Sequence, residues 1–428
     1  VREYLSVKGG KRLCGVVEVS GAKNSALPLL MATLLSSGEC VVTNVPDLDD
    51  IEVTIKLLRS LGAEVSRQGS TVKVKATKLS KSEAPHGLVK AMRASFWVLG
   101  PILARCGTAS VALPGGDAIG TRPVDLHLQG LVRLGADIRF QNGVVIASAP
   151  GGLRGGQIDL SFPSVGATHQ LLMTAALIPE ETILSGVARE PEVVELCEFL
   201  SGMGAEIEGA GTARISIRGK KELGPASISV IGDRIEAATY LCAGMMTHGD
   251  LTVQGISSNE LAGVVNLLQS MGAQVTSDES SIRIICDAHK AVSFSTAPFP
   301  GVATDAQPLL LAAMTNAEGE GAVTETIFEN RFGHALEYKK FGADITIDRR
   351  VASVVGVKSL GGASADAGDI RAAAGLVLMG LVSEGESRIF EIHHLDRGYE
   401  RMVEKLRALG GDVVRVPAFD GEEIVLGC

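Results

Sequence analysis

Six stretches of the chain set polar or charged side chains directly before a long apolar run. Lys23-Asn24 precede SALPLLMATLL, Arg93 precedes ASFWVLGPILA, and Ser164-Val165-Gly166 precede ATHQLLMTAAL. Asp233-Arg234 precede IEAATYLCAGMM, Asp305 precedes AQPLLLAAM, and Asp369 and Arg371 flank the start of IRAAAGLVLMGLV. A run apolar on nearly every side predicts a helix buried all round. Its polar leading residues then sit where backbone N–H groups are free and an anion is welcome. The macrodipole disfavours a cation there by roughly 0.3–1 kcal/mol, yet Lys23, Arg93 and Arg371 occupy such positions. A cation pointing into solvent would explain any one of them. Three together predict a common face that binds one or more anions.

Other candidates lie outside these helices. LPGGDAIGTRPVDLH at 113–127 carries a paired-glycine turn, Asp117 and then Arg122. An aspartate there either closes a turn on its own backbone or does chemistry from a loop, and the residues alone leave both readings open. DRGYER at 396–401, with Arg397, and ENRF at 329–332 each read on their own as a salt-bridged helix start. His393 and His394 have no partner at metal spacing, and neither GxGxxG nor a P-loop is present. The chemistry indicated is a polyanionic substrate handled by arginines, a lysine and isolated aspartates, without metal or cofactor.

The elements that must position these groups repeat. LLRSLGAEV, LVRLGADI, FLSGMGAEI, LLQSMGAQV, YKKFGADI and LRALGGDV anchor on Gly62, Gly135, Gly204, Gly272, Gly342 and Gly410, spaced 73, 69, 68, 70 and 68 residues apart. Each copy predicts an amphipathic helix ending at a glycine C-cap and passing into an alternating strand. Six units of about 70 residues exceed one hydrophobic core, which predicts two three-unit domains with sheets outside and buried helices inside. A net charge of −9 argues against nucleic acid as a main partner. Seven scattered cysteines without a CxxC pair suit reduced thiols in the cytoplasm. The longest uncharged run, 160–179, is interrupted by Pro163, Gly166, His169 and Gln170 and makes a poor membrane span.

With GAKNSALPLL, MRASFWVLGP, LPGGDAIGTRPVDLH, PSVGAT, TDAQ, ETIFENRF, DIRAAAGLV and DRGYERM in order along essentially the whole chain, the sequence resembles the enolpyruvyl transferase family, in particular the branch that acts on UDP-N-acetylglucosamine. The sister branch acting on 3-phosphoshikimate usually has a serine-containing segment where this chain has VSGAKNSALP. The resemblance implies two inside-out α/β barrel domains of three repeats each, one over 22–231 and the other joining 1–21 to 232–428, with the site in the cleft between them. It implies transfer of the enolpyruvyl group of phosphoenolpyruvate to the 3-hydroxyl of UDP-N-acetylglucosamine with release of phosphate, the step that opens peptidoglycan synthesis. Neither nucleic acid nor membrane is implied as a partner.

The resemblance also assigns roles. Lys23 and Asn24 would contact phosphoenolpyruvate and the intermediate, and Arg122 and Arg397 would clamp its phosphate or carboxylate. Arg93 would hold the sugar nucleotide together with Arg122, Pro123, Val124, Asp125 and Leu126, the last four framing uracil. Ser164, Val165 and Gly166 would face the diphosphate and Ile327 the sugar nucleotide. Asp305 would take the proton of the 3-hydroxyl, with Asp369 and Arg371 on the same face. Two alternatives are the 3-phosphoshikimate reaction and a non-catalytic UDP-sugar sensor. Facing cationic ends would also repel, holding the substrate-free cleft open.

The chain departs from the family's usual pattern at Asp117, where most members carry cysteine and a minority aspartate. That side chain is the implied general acid to C3 of phosphoenolpyruvate. The epoxide antibiotic fosfomycin alkylates the usual cysteine, and a carboxylate is a far weaker nucleophile toward an epoxide than a thiolate. The wild-type protein should therefore turn over and show no fosfomycin adduct by intact mass. Asp117→Cys should gain one adduct on the 113–127 peptide, and Asp117→Asn should lose turnover while still binding substrate. Rapid alkylation of the wild type, or full activity in Asp117→Asn, would contradict the assignment.

Overall fold

The structure is a computed structural model that describes residues 2–115, 120 and 123–418. The helices foreseen as buried are buried. Every residue of Arg234–Met246 and Gln307–Thr315 is enclosed, and so is all of Ile370–Val382 except Val382. These three pack on one another at the centre of one apolar core. Lys23–Ala32, Leu99–Cys106 and Val165–Ala175 fill a second core. Burying a Leu or Ile side chain contributes about 1.5–3 kcal/mol, so helices this apolar are stable only with neighbours on every side.

Among the described residues the exposed layer is made of six small sheets, five of four strands and one of three. In five of them, the strand after a buried helix pairs antiparallel with a strand of the following hairpin, as Glu181–Ser185 does with Arg214–Arg218. Along these strands burial alternates, so one face meets the helices and the other meets solvent. The amphipathic helices, such as Asp49–Ser60 and Pro191–Gly202, lie between. All six repeat glycines adopt φ between +89° and +114°, the left-handed C-cap that the repeated phrase predicts. The result is the inside-out α/β arrangement, with helices enclosed by sheets.

One core takes its residues from Ala22 to Val230, and the other from Leu5 to Val19 and Ile235 to Val413. Strand Arg2–Lys8 belongs with the end of the chain. It pairs antiparallel with both Glu386–Phe390 and Asp412–Ala418, in the place a hairpin strand takes in the other units. The chain thus crosses between the cores twice, and the crossings pair through a bridge between Gly21 and Gly232. Ala22 N–H donates to the Ile231 carbonyl at 2.7 Å and Asp233 N–H to that of Ser20 at 2.9 Å. Glycine is required at both crossing points: a Cβ on Gly21 would lie 1.8 Å from the Asn44 carbonyl oxygen, and one on Gly232 1.9 Å from that of Gly255. Two buried glutamates hold the crossings, Glu236 accepting from Ser20 N–H at 2.7 Å and Glu195 from Ile231 N–H at 2.8 Å. This strap sets the start of helix Lys23–Ala32 beside that of Arg234–Met246, and Lys23 N–H donates to the Asp233 carboxylate at 3.3 Å.

Candidate active site

The leading ends of the buried helices converge on a cleft of about 600 Å³ between the two cores. Lys23, Asn24, Arg93, Pro123, Val124, Asp125, Leu126, Ser164, Val165, Gly166, Asp305, Ile327, Asp369, Arg371 and Arg397 all line it. Asp117 and Arg122 lie outside the described residues; Pro114 and Pro123, on either side of them in sequence, line the cleft.

Like charges do not face each other unscreened across the described part of the cleft, because carboxylates stand between them. Asp50 is 2% exposed. It meets Lys23 Nζ at 2.7 Å from the same core and Arg397 Nε at 3.0 Å from the other. Burial alone would raise the Asp50 carboxyl, but Lys23 and Arg397 outweigh it and hold it below the usual range. Burial pushes the Lys23 ammonium below its ordinary value. Asp50 opposes that, while Arg371 and Arg397 push it further down.

A second carboxylate, Asp305, reaches Arg371 at 3.3 Å, Arg331 at 3.7 Å and Asn24 Nδ2 at 3.5 Å. Burial again favours its neutral form. The guanidiniums of Arg371, Arg331 and Arg234, with Lys23, overcome this and hold it well below the usual carboxylate range. Asp305 is therefore ionised and, in this setting, a weak base. Asp369 caps helix Ile370–Val382 by accepting from the Arg371 and Ala372 N–H groups at 2.8 and 3.0 Å, and pairs with Arg331 at 3.0 Å. Arg371 lies over the Tyr399 ring at 5.5 Å, and the Tyr399 hydroxyl is 2.9 Å from that of Thr239. DRGYER thus reaches the cleft through Arg397, while Tyr399 lies behind it against Arg371.

The opposite wall is less charged. Ser164 caps Val165–Ala175 through its hydroxyl, which accepts from Ala167 N–H at 3.3 Å. Arg93 donates to the Pro123 carbonyl at 3.2 Å, which ties the 123–126 segment to the start of its own helix. Gly166 lets helix Val165–Ala175 start close against its neighbours, since a Cβ there would crowd Trp97 Nε1 and His127 Cε1 at 3.1 Å. His127, bonded to Gln170, is pushed down to about 4, by burial first and then by Arg93. It presents a neutral ring beside the cation.

Several groups in or behind the cleft wall escaped the sequence reading. Asp50 looks like a first-turn acid of an exposed helix, and Arg331 like half of a surface pair in ENRF. Arg331 is 2% exposed and bonds two aspartates of the site. Glu325, 1% exposed, accepts from Ile327 N–H at 2.8 Å, Phe328 N–H at 3.2 Å and the Thr304 hydroxyl at 2.9 Å. It fixes both sides of the Asp305 wall. Arg234 pairs with Glu192 at 2.8 Å. The spacing of these acids within ordinary helix starts carried no signal of burial.

The fold and this cation-rich cleft define an enolpyruvyl transferase, and the comparisons agree. Residues 7–406 match the family model of EPSP synthase (3-phosphoshikimate 1-carboxyvinyltransferase). The chain is 47% identical to the UDP-N-acetylglucosamine 1-carboxyvinyltransferase of Trichlorobacter lovleyi and 48% identical to that of Desulfosudis oleivorans, covering 97% of this chain and 99% of each relative. Among solved structures, the enolpyruvyl transferase NikO from Streptomyces tendae superimposes with a TM-score of 0.88 at 30% identity, over 98% of this chain and 100% of that one. The chain belongs to the EPSP synthase family of enolpyruvyl transferases.

The Asp50 bridge generates a pH prediction. Asp50 is what keeps Lys23 protonated against burial and two neighbouring guanidiniums, so Asp50→Asn should let the ammonium lose its proton at lower pH. The alkaline limb of kcat/KM should then move toward neutrality. An unchanged limb would show that Lys23 is not the group whose charge the reaction needs.

Proposed function

We propose that this cleft transfers the enolpyruvyl group of phosphoenolpyruvate to the 3-hydroxyl of UDP-N-acetylglucosamine and releases phosphate. The observation that carries the reading is Asp305. It is an ionised carboxylate on the cleft wall, ringed by Arg371, Arg331 and Lys23, with the Lys23–Asp50–Arg397 bridge beside it. Relatives of nearly half-identical sequence and equal length, named for this reaction, support it.

The chemistry is an addition followed by an elimination. C3 of phosphoenolpyruvate gains a proton, for which Asp117 is the donor in this reading, while the sugar oxygen bonds to C2 and gives its proton to Asp305. C3 then loses a proton, the C2–C3 double bond re-forms and the C2–O bond to phosphate breaks. Lys23, Arg397 and Arg122 hold the phosphate and carboxylate of the donor, with charge-assisted hydrogen bonds worth about 1.5–3 kcal/mol each. Asn24 contacts phosphoenolpyruvate and the intermediate beside Lys23; Ser164, Val165 and Gly166 receive the diphosphate, 123–126 frame the uracil, and Arg93 and Ile327 hold the sugar nucleotide. Asp305 is weak as a base while three guanidiniums and an ammonium bear on it alone. Substrate anions that share those cations strengthen it, so it becomes competent when both substrates are bound.

The same reading takes the two cores as domains, 22–231 and 1–21 with 232–428, and places the enzyme in the cytoplasm at the start of peptidoglycan synthesis. Among the described residues no helix is long and apolar enough to cross a membrane, and all six cysteines are free.

A coupled phosphate-release assay tests the reading. Phosphate should appear with UDP-N-acetylglucosamine as acceptor and not with shikimate 3-phosphate. Asp305→Ala should lose about 10²–10⁴ in rate, the usual loss for a general base, and still bind the sugar nucleotide in calorimetry. Release with shikimate 3-phosphate alone would move the enzyme to the other branch. Binding of the sugar nucleotide without release would make it a sensor.

A further inference from the structure

Of Arg371, Arg331 and Arg234, which bear on Asp305, Arg234 pairs with a carboxylate of the other core. It opens helix Arg234–Met246 and is buried, as is Glu192 in the first turn of Pro191–Gly202. Arg234 Nε donates to Glu192 Oε1 at 2.8 Å. Its guanidinium lies 5.9 Å from the centre of the Phe299 ring, and Arg189 in turn donates to the Phe299 carbonyl at 3.1 Å. The second oxygen of Glu192 is buried without a hydrogen-bond partner among the described residues. The charged groups facing Arg234 are Glu192 and Glu190 from one core, and Asp305 and Glu260 from the other. Of the other two arginines on Asp305, Arg331 shares its charge with Asp369, and Arg371 lies against Tyr399, both within the second core.

We propose that Glu192 is a positioning residue for the proton transfer at Asp305, acting through Arg234. Glu192 holds the guanidinium and offsets its charge. When the two cores separate, Glu192 leaves with the first core and less of the Arg234 charge is offset where it bears on Asp305, so the carboxylate holds a proton less well. When they close, Glu192 returns and Asp305 becomes a better acceptor at the moment the sugar hydroxyl is enclosed. A 2.8 Å charged contact in a buried site, reaching from one core to the other, suits this coupling, because Coulomb interactions are strongest where water is excluded. The inference rests on the reading of Asp305 as the base.

Glu192→Gln keeps the shape and removes the charge. With UDP-N-acetylglucosamine and phosphoenolpyruvate, kcat should fall about tenfold, the equivalent of one unit of base strength. KM for both substrates should stay near wild type, and the solvent deuterium isotope effect on kcat should rise. The double variant Glu192→Gln/Arg234→Gln, which removes the charge that Glu192 offsets, should recover most of the loss. A rise in KM with kcat unchanged would make Glu192 a substrate contact and overturn the proposal. A loss that the double variant does not recover would make its role merely structural and also overturn it. Should the single variant not fold, Glu192→Asp carries the same test, with a smaller loss and the same separation of kcat from KM. Asp305→Ala separates the two readings. If it stays active, the base assignment fails and takes this proposal with it; if it is inactive while Glu192→Gln has wild-type kcat and isotope effect, this proposal alone fails.

Discussion

A cation buried at the leading end of a helix is opposed twice, by desolvation and by the macrodipole. This protein places Lys23 and Arg371 in that position, both nearly enclosed, and adds Arg331 and Arg234 beside them. The rest of the site follows from the need to offset those charges. Asp50, Asp305, Asp369 and Glu192 each lie within ion-pair distance of at least one of the four. Asp50 and Glu192 do so from within the first core, bonding Arg397 and Arg234 of the second. A substrate carrying phosphate and carboxylate groups can take over part of this role, and that exchange is what ties binding to the state of the cleft.

The fold serves this arrangement by enclosing its most apolar helices and setting their leading turns against the cleft. Helix starts pointing at one cleft supply side chains from both cores, and Ser164, Asp233 and Asp369 cap N–H groups there. The paired crossings at Gly21 and Gly232 fix Lys23 against Asp233, while Glu325 fixes the loop after its own strand against Thr304. Side chains held from two or three directions keep their geometry, which is what electrostatic stabilisation of a developing charge requires.

Much of this could be read from residues alone. The glycine-anchored phrase marked six units because only a left-handed cap lets an amphipathic helix turn directly into a strand, and the evenly apolar runs marked the enclosed helices. Lys23, Arg93 and Arg371 stood out because cations at helix starts are unfavourable without a partner, and Ser164 and Asp305 because they lead the same kind of apolar run. What stayed hidden were the compensating acids. Asp49 and Asp50 are indistinguishable in the string LDDIEV, yet one is exposed and the other is buried between two cations. Arg331 falls in ENRF, which reads on its own as a salt-bridged helix start, Glu325 follows directly on a strand, and Glu192 looks like an ordinary first-turn acid. Their roles depend on contacts across the cleft or with distant strands, which no local pattern encodes.

The central claim is that cations now held by protein carboxylates are the ones that receive the substrates. A crystal structure of the complex with UDP-N-acetylglucosamine and an unreactive phosphoenolpyruvate analogue tests it most directly. The account predicts phosphate or carboxylate oxygens of the analogue at hydrogen-bond distance, about 2.7–3.2 Å, from Lys23 Nζ and the Arg397 guanidinium. It also places the sugar 3-hydroxyl on the Asp305 carboxylate. An analogue bound elsewhere, with the Lys23–Asp50–Arg397 bridge undisturbed and Asp305 out of reach of the hydroxyl, would contradict it.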